Sequence, residues 1–196
     1  MTRLLLVRHG QSVWNADGRW QGQADPPLSE LGRTQAFHAA RRVGSVDVIV
    51  ASDLERARDT ALIISEAIGV GPVVIEPGLR ERDAGEWSGL TRPEIEQRWP
   101  GYLDERRRPP GWESDESVLA RLHDVLGRID DEYHGAEVLV VTHGGVVYAL
   151  EAEHEVEWAR LANLGARQVE MDGGRIPLGD RIALVDHDEL TIPNQI

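Results

Sequence analysis

The chain has 196 residues and a formal net charge of −13; all 21 of its basic residues are arginine, and it has no cysteine. The negative charge excludes the broad basic surface that binds nucleic acid or an anionic membrane. Without lysine or cysteine, the chain cannot use Schiff-base chemistry, a thiol nucleophile, a disulfide or a thiolate metal site. Its length suits one domain, to which we assign residues 1–196.

The first predicted element is a buried strand from Arg3 to Arg8. Only four apolar residues separate these two arginines, which is too few for the apolar segment of a signal peptide. No other segment approaches the length that spans a bilayer. We therefore expect a cytoplasmic protein that binds neither membranes nor nucleic acids.

The rest of the chain alternates between helix and strand patterns. A loop rich in Gly, Asp, Gln and Pro covers residues 15–27, and Ser29 then begins a helix. Capping-box patterns over 52–55 and 91–94 predict two further helix starts. The predicted elements after the loop are a helix over 29–44, a strand over 46–51, a helix over 52–69, a strand over 73–75, helices over 91–99 and 115–133, a strand ending at 142, helices over 144–153 and 155–162, and a hairpin of 167–172 with 181–186.

This order of elements predicts an α/β fold. Strands separated by helices form mostly parallel sheets that helices cover on both faces. We therefore expect a three-layer α/β/α architecture with a mostly parallel central sheet. Residues 100–112, with three prolines and two glycines, predict an excursion over the surface rather than a core element.

Two histidines follow apolar strands in nearly the same setting. His9 follows the first strand, His143 follows the strand that ends at Thr142, and glycine comes directly after each of them. Because open α/β sheets bind ligands at the carboxyl ends of their strands, we expect the two histidines to converge there. Arg8, directly before His9, indicates a phosphate ligand, since a guanidinium can bind two phosphate oxygens at once.

These residue types suit attack on phosphorus. A neutral imidazole is a nucleophile when its other nitrogen is held protonated by a fixed acceptor. The phosphoryl oxygens then need neutralising by arginine, and the leaving oxygen needs a proton from a carboxylic acid. Helix N-termini supply further N–H donors. The groups that could provide this chemistry are His9, Arg8, Glu81, His143 and the helix start at Gly144-Gly145.

Five motifs in order carry a resemblance to a known family. Arg8-His9-Gly10-Gln11-Ser12, with Trp14-Asn15 behind it, resembles the RHG signature of the histidine phosphatase superfamily in its phosphoglycerate mutase-like branch. One such signature alone would be a weak signal, whereas five in the expected order over most of residues 3–150 are a strong one. The other four motifs lie in segments 21–32, 52–57, 79–90 and 141–145.

The resemblance implies a phosphoglycerate mutase-like fold and a role for each of nine residues. His9 would be the phosphorylated nucleophile, and Glu81 would protonate the leaving alcohol and then act as base toward water. The other residues of the catalytic set would hold the phosphoryl group: Arg8, Arg56 and His143. The residues implied to assist at the phosphate or to border the substrate are Asn15, Gln21, Gly22 and Gly144. No metal or other cofactor is implied.

Two positions depart from the family pattern, which leads us to expect an aromatic residue near Ala84 and a glycine near Trp112. Trp112 would change the shape of its loop, and Ala84 would widen or loosen the loop that bears Glu81. Neither belongs to the implied catalytic set. Trp20 and Trp87 are the tryptophans whose loops would place them near a pocket.

The arginines near these loops favour a solvated role. Arg80 and Arg82 flank Glu81 and are expected to face solvent. The run Arg106-Arg107-Arg108 could grip an anionic substrate from a lid, but a solvated charge run is the favoured interpretation.

Three functions are compatible with these residues. A phosphatase lets water attack the phosphohistidine, whereas a cofactor-dependent phosphoglycerate mutase excludes water and returns the phosphoryl group to a sugar acid. The resembling mutases carry a longer insertion than the 62 positions between Glu81 and His143, so we favour a phosphatase acting on a small phosphomonoester. A catalytically silent phospho-ligand binding module is disfavoured because His9 and Glu81 are both present. The apolar segments near the terminal hairpin could pair two copies as a homodimer.

Overall fold

A six-stranded sheet forms the centre of the protein in a computed structural model, which describes residues 1–193. The strands are β1 (Thr2–Arg8), β2 (Val48–Ala51), β3 (Val74–Ile75), β4 (Glu137–Thr142), β5 (Gly165–Met171) and β6 (Leu178–Ala183). Their order across the sheet is β3-β2-β4-β1-β5-β6. The first four in that order run parallel, and β5 and β6 are antiparallel to their neighbours.

Six α-helices accompany the sheet within residues 1–193. They are α1 (Val13–Ala16), α2 (Glu30–Ala39), α3 (Glu55–Ile68), α4 (Arg92–Arg98), α5 (Asp115–Glu132) and α6 (Gly144–Glu153). Short 3-10 helices cover Pro77–Leu79, Gly85–Trp87 and His187–Glu189. None of the helices in this part of the chain is long and apolar enough to cross a membrane.

Apolar side chains on both faces of the sheet pack against the helices. Successive strand residues point to opposite faces, so Leu6 and Val140 pack with α5 and α6, while Val7 and Val141 pack with α2 and α3. Burial of these side chains away from water is the main favourable term that holds the layers together. The predicted three-layer α/β/α architecture with a mostly parallel sheet is confirmed.

The predicted elements are largely confirmed, with shifted ends. The terminal hairpin is present as β5 and β6, and β5 also pairs with β1 along its length. The capping box at Thr91 is formed, with Thr91 and Glu94 satisfying each other's backbone N–H groups. The helix that begins after Ser29 ends at Ala39 rather than at Gly44, because residues 40–43 turn away from the helical path.

The predicted helix over 155–162 is wrong. Glu155 has φ 55°, in the left-handed region, which breaks the path of α6. Side chains outside this segment form hydrogen bonds with backbone groups that would be paired within a helix. The Leu161 amide donates to the Tyr148 hydroxyl at 2.7 Å, and the Leu161 carbonyl accepts from Arg8 Nη1 at 2.7 Å. Tertiary hydrogen bonds have therefore overridden the local helical pattern.

The predicted capping box over 52–55 is also wrong. Leu54 is the N-cap of α3 and has no side chain that can cap it, and the Glu55 amide at the start of the helix donates to Asp25 Oδ1 at 2.6 Å. The Ser52 hydroxyl accepts instead from the Leu54 amide at 3.3 Å, and it lies 2.9 Å from His143 Nε2. The Ser52 hydroxyl therefore contacts His143 at the edge of the sheet and does not cap the helix.

Residues 100–112 contain turns but neither helix nor strand, as predicted for a surface excursion. Tyr102, Leu103 and Trp112 on this segment pack against a small apolar cluster that includes Trp87 and Ile95. The segment therefore covers one side of the loops that follow β3.

Candidate active site

Three polar residues meet at the carboxyl edge of the parallel strands. His9, Ser52 and His143 directly follow β1, β2 and β4, which are neighbours in the sheet. The ladder continues one residue past the strand ends, with the His9 amide donating to Thr142 O and the Ser52 amide to Val141 O, both at 3.0 Å. The rings of His9 and His143 consequently lie edge to face, 5.1 Å apart. Their predicted convergence is present.

The hydrogen bonds of His9 assign its tautomer. Nδ1 lies 2.6 Å from the Gly10 carbonyl oxygen, which can only accept, so Nδ1 carries the proton. Arg56 Nε donates to Nε2 at 3.2 Å, so Nε2 holds a lone pair. This is the state that attack on phosphorus requires, a neutral imidazole with its far nitrogen held protonated.

Burial keeps both histidines neutral. Desolvation, followed by the charges of Arg56 and Arg8, holds the pKa of His9 well below 6.5. Desolvation and then Arg56 lower the pKa of His143 in the same way. Each side chain is no more than 1% exposed. Both imidazoles therefore remain uncharged at neutral pH in the folded protein.

The two histidines should make the free energy of unfolding depend on pH. In the unfolded chain their pKa values return to about 6.5, so the unfolded state takes up protons first as the pH falls. We expect the free energy of unfolding to decrease by up to about 1.4 kcal/mol per pH unit for each histidine between pH 6.5 and 5.5. Denaturant unfolding in a buffer without phosphate or sulfate measures this slope.

Single variants separate the two contributions. His9→Gln and His143→Gln should each reduce the slope by about 1 kcal/mol per pH unit over this range. His187→Gln, at an exposed position, is the matched control and should keep the wild-type slope. Equal slopes in His9→Gln and the wild type would show that His9 is not buried in its neutral form.

Arg56 is buried and bound on three sides. Besides contacting His9, it donates to the Gly22 carbonyl at 2.9 Å and to the Ala24 carbonyl at 2.8 Å. Desolvation lowers its pKa to about 10, which still leaves it charged at neutral pH. The guanidinium therefore joins the loop before α2 to the nucleophile and keeps a full positive charge beside it.

Arg8 supplies the second buried positive charge. Its Nη1 donates to Leu161 O at 2.7 Å, whereas its buried Nε has no hydrogen-bond partner among the described residues. Desolvation lowers its pKa. A buried N–H donor without a partner costs free energy. Because Arg8 borders the cleft, an oxygen of an anion bound there is suited to accept a hydrogen bond from its Nε.

Glu81 faces the same cleft and is held by two backbone amides. Its Oε1 accepts from the Arg82 amide at 2.7 Å, and its Oε2 accepts from the Gly145 amide at 3.1 Å. A Cβ at position 145 would collide with Glu81 Oε1, so this close approach requires glycine. Thr142 also donates to Leu79 O at 2.8 Å, which ties the loop of Glu81 to β4.

The residues implied to assist form a connected group. Asn15 is part of the capping box of α1 and accepts from the Ser12 amide at 3.2 Å. Gln21 accepts from the Ser12 hydroxyl at 2.6 Å. Gly22 has φ 52°, and a Cβ there would lie 2.6 Å from Ala84 N. Asn15, Gln21 and Gly22 all border the cleft, and Gly144 begins α6 beside Arg8.

Ser52 and Asn163 are site residues that the sequence predictions missed. Asn163 is fully buried and donates to His9 O at 3.0 Å and to Asn15 Oδ1 at 3.2 Å. No motif marked it, because it lies in a segment that was predicted to follow a helix. The sequence pattern assigns Ser52 to a helix cap. Its contact with His143 arises because β2 and β4, which these two residues follow, are neighbours in the sheet.

The orientation of His143 follows from its single hydrogen bond. Its Nε2 contacts the Ser52 hydroxyl, while Nδ1 is buried without a hydrogen-bond partner among the described residues. Since Ser52 already accepts from Leu54 N, its own proton can go to Nε2, which leaves Nδ1 as an N–H donor. His143 is thus arranged to stabilise an anion next to His9.

Glu81, Arg8 and the loop residues open into a cleft with an outer wall of tryptophan and arginine. Trp20 lines it, as predicted, but Trp87 is fully buried beneath the wall. Arg82 was predicted to face solvent, and this is wrong: its side chain is 11% exposed. It donates to Glu113 O at 2.8 Å. The lining residues are Arg8, Asn15, Arg19, Trp20, Gln21, Gly22, Glu81, Arg82, Ala84, Trp112 and Gly145.

The neighbouring arginines differ in their surroundings. Arg80 forms a two-point ion pair with Asp53, with N–O distances of 2.8 and 2.6 Å. Arg108 is exposed, its guanidinium carbon lies 4.7 Å from the Trp112 ring centroid, and desolvation lowers its pKa. Arg107 lies over the Tyr102 ring, and only Arg106 in the run has no such ring contact.

The charge of the site matches a phosphate monoester. Two buried guanidinium groups lie beside one carboxyl group, so the site carries a net positive charge in a protein whose total is −13. A dianion is attracted to such a site, and a cation is not. In residues 1–193 no group of three or more histidine, aspartate or glutamate side chains is arranged to hold a metal ion.

Comparisons with known proteins point the same way. A family model described as "Histidine phosphatase superfamily (branch 1)" matches residues 4–175. A metal-independent phosphoserine phosphatase of Arabidopsis thaliana is 38% identical over 76% of the chain and 67% of the relative. A glucosyl-3-phosphoglycerate phosphatase of Mycobacterium tuberculosis is 37% identical over 91% and 88%. The solved complex of the mycobacterial glucosyl-3-phosphoglycerate phosphatase with VO3 matches with a TM-score of 0.83 and 34% identity, over 92% of this chain and 99% of that one.

Proposed function

Because the chain belongs to branch 1 of the histidine phosphatase superfamily and is a phosphoric monoester hydrolase, we propose that it hydrolyses a small phosphomonoester through a phosphohistidine on His9. The observation that carries the proposal is the pair of hydrogen bonds that fix His9 with Nδ1 protonated and Nε2 as a lone pair. No metal or other cofactor is needed, since the two buried guanidinium groups supply the positive charge.

In the first step His9 Nε2 attacks phosphorus and the bond from phosphorus to the ester oxygen breaks. Arg56 Nε must transfer its hydrogen bond from Nε2 to a phosphoryl oxygen, because the same lone pair forms the new bond. Arg8 and His143 stabilise the remaining phosphoryl oxygens. Glu81, in its carboxylic acid form, gives a proton to the leaving oxygen, so that an alcohol departs.

In the second step water attacks the phosphohistidine. Glu81, now a carboxylate, accepts a proton from the water as its oxygen bonds to phosphorus. The bond between nitrogen and phosphorus breaks, inorganic phosphate is released, and Nε2 recovers its lone pair. Glu81 is thereby returned to its acid form for the next cycle.

We further propose that the substrate carries a second anionic group. Arg19 and Arg82 line the cleft beyond the catalytic arginines, and Arg82 is held in place by Glu113. The two named relatives act on phosphoserine and glucosyl-3-phosphoglycerate, both of which contain a carboxylate. A phosphorylated hydroxy acid therefore fits the cleft better than a phosphomonoester without a second anionic group does. We also propose action in the cytoplasm, and homodimer formation stays a prediction.

Phosphate release distinguishes a phosphatase from a mutase. We expect the protein to release inorganic phosphate from p-nitrophenyl phosphate and from phosphoserine, with rates that EDTA leaves unchanged. With 3-phosphoglycerate and 2,3-bisphosphoglycerate, phosphate release should be faster than interconversion of the phosphoglycerates. Rapid interconversion without phosphate release would replace the proposal with a mutase, and turnover of neither kind would leave a binding module.

A further inference from the structure

The outer wall of the cleft contains one side chain that no catalytic role accounts for. Trp112 lies on the surface segment after residue 100, yet it borders the cleft together with Glu81 and Ala84. Trp112 and Ala84 pair across an isolated antiparallel bridge. Because Glu81 must face the leaving oxygen, a wall next to Glu81 borders the leaving group rather than the phosphoryl group.

The Trp112 ring is held firmly in this position. It packs edge to face on the fully buried Trp87, with ring centroids 5.6 Å apart. The guanidinium carbons of Arg108 and Arg82 lie 4.7 and 5.7 Å from its centroid, distances at which cation–π attraction operates. Arg82 is itself anchored by Glu113 O and Asp115. Moving the ring would require several of these contacts to break together.

The loops on the two sides of the bridge pack closely against each other. The approach of Gly22 to Ala84 is so close that a Cβ on Gly22 would lie 2.8 Å from the Ala84 Cβ. A Cβ on Gly85 would collide with Pro110 O. The two loops therefore lie in direct contact. The bulky side chains that line the cleft beside this junction are Trp20, Arg82 and Trp112, and of these Trp112 pairs directly with Ala84.

The space that remains is small. The cavity volume is about 50 Å³, and about 10–15 Å³ of such volume holds one water molecule. Because Trp112 and Glu81 border the same small space, we expect a short leaving group to fit there, whereas a sugar-bearing leaving group would extend to the indole.

We propose that Trp112 is the residue that sets specificity for leaving-group size, and that it restricts the enzyme to compact phosphorylated hydroxy acids. This inference rests on the proposed phosphatase function and adds the size of its substrate. Phosphoserine represents the compact class, and glucosyl-3-phosphoglycerate represents the same kind of anion with a bulky sugar attached.

The test compares kcat/KM for phosphoserine, glucosyl-3-phosphoglycerate and p-nitrophenyl phosphate. The wild type should favour phosphoserine over the glucosyl substrate. Trp112→Gly should raise the ratio of glucosyl-3-phosphoglycerate to phosphoserine by at least about 10-fold, since a pocket wall discriminates by about 10- to 200-fold. Trp112→Phe, which keeps a smaller ring, should raise it by less. Melting temperatures and circular dichroism spectra verify that each variant is folded.

A second variant relocates the ring across the bridge. Directly paired residues have Cβ atoms about 4.5–5.5 Å apart, so Ala84→Phe combined with Trp112→Gly places an aromatic ring at the same junction. This double variant should recover part of the preference for phosphoserine. An unchanged ratio in Trp112→Gly, or a wild type that favours the glucosyl substrate, would overturn the inference alone. A folded wild type that hydrolyses none of the three substrates would overturn the proposed function and this inference with it.

Discussion

Replacing His9 with alanine is expected to lower kcat for phosphomonoester hydrolysis by about 10⁴-fold or more, because the variant has no nucleophile to form the covalent intermediate. Removal of a nucleophile is among the most damaging changes to enzymes that use one. The measurement is phosphate release from phosphoserine and from p-nitrophenyl phosphate. Transfer of labelled phosphate to the protein, trapped by rapid quenching at alkaline pH, should disappear as well.

His143→Ala is the matched control for this experiment. Both histidines are buried at the same sheet edge and have lowered pKa values, so a general effect of removing an imidazole would act in both variants. His143 is arranged as a donor to the phosphoryl oxygens, and its loss should slow phosphoryl transfer while labelled phosphate still accumulates on His9. Labelling of His9→Ala with none of His143→Ala would exchange the roles of the two residues.

Replacing Glu81 with glutamine should have an effect that depends on the leaving group. The amide cannot donate the proton that an alkoxide requires, so kcat/KM for phosphoserine should fall by about 10² to 10⁴-fold. Nitrophenolate leaves without a proton, so kcat/KM for p-nitrophenyl phosphate should fall by less than about 10-fold. Because Glu81 also activates water in the second step, kcat for p-nitrophenyl phosphate should fall more than kcat/KM does.

Glu86→Gln provides the same change of charge on an exposed residue of the same loop. It should leave both substrates within about 2-fold of the wild type, as is usual for surface substitutions away from special features. Equal losses of kcat/KM for phosphoserine and p-nitrophenyl phosphate in Glu81→Gln would exclude Glu81 as the proton donor of the first step.

The architecture could be predicted from sequence because its signals are local. The apolar runs before His9 and His143 mark buried strands, and the glycines after them allow neighbouring groups to approach closely. The segment 155–162 shows where such signals fail. Its pattern suits a helix, but the Leu161 backbone bonds with Tyr148 and Arg8 instead, and those partners are distant in the chain.

Sequence motifs identify the catalytic side chains, but they do not reveal the hydrogen bonds that position those side chains. The five residues lie in recognisable motifs: His9, Arg8, Arg56, Glu81 and His143. In the structure His9 contacts Arg56 and His143, while Arg8 and Glu81 line the cleft. The tautomer of His9 depends on the Gly10 carbonyl and on Arg56, which only coordinates reveal. Ser52 was mistaken for a helix cap because a serine that precedes a helix usually is one.

The hydrogen bond from Arg56 to His9 has a consequence for the resting enzyme. A lone pair already occupied by a guanidinium proton is shielded from adventitious electrophiles, such as acylating metabolites, that diffuse into the cleft. An arriving molecule unmasks the nucleophile only if it offers oxygens that accept that proton while phosphorus approaches Nε2. The oxygens of the substrate dianion meet this condition, so substrate binding itself frees the lone pair for attack.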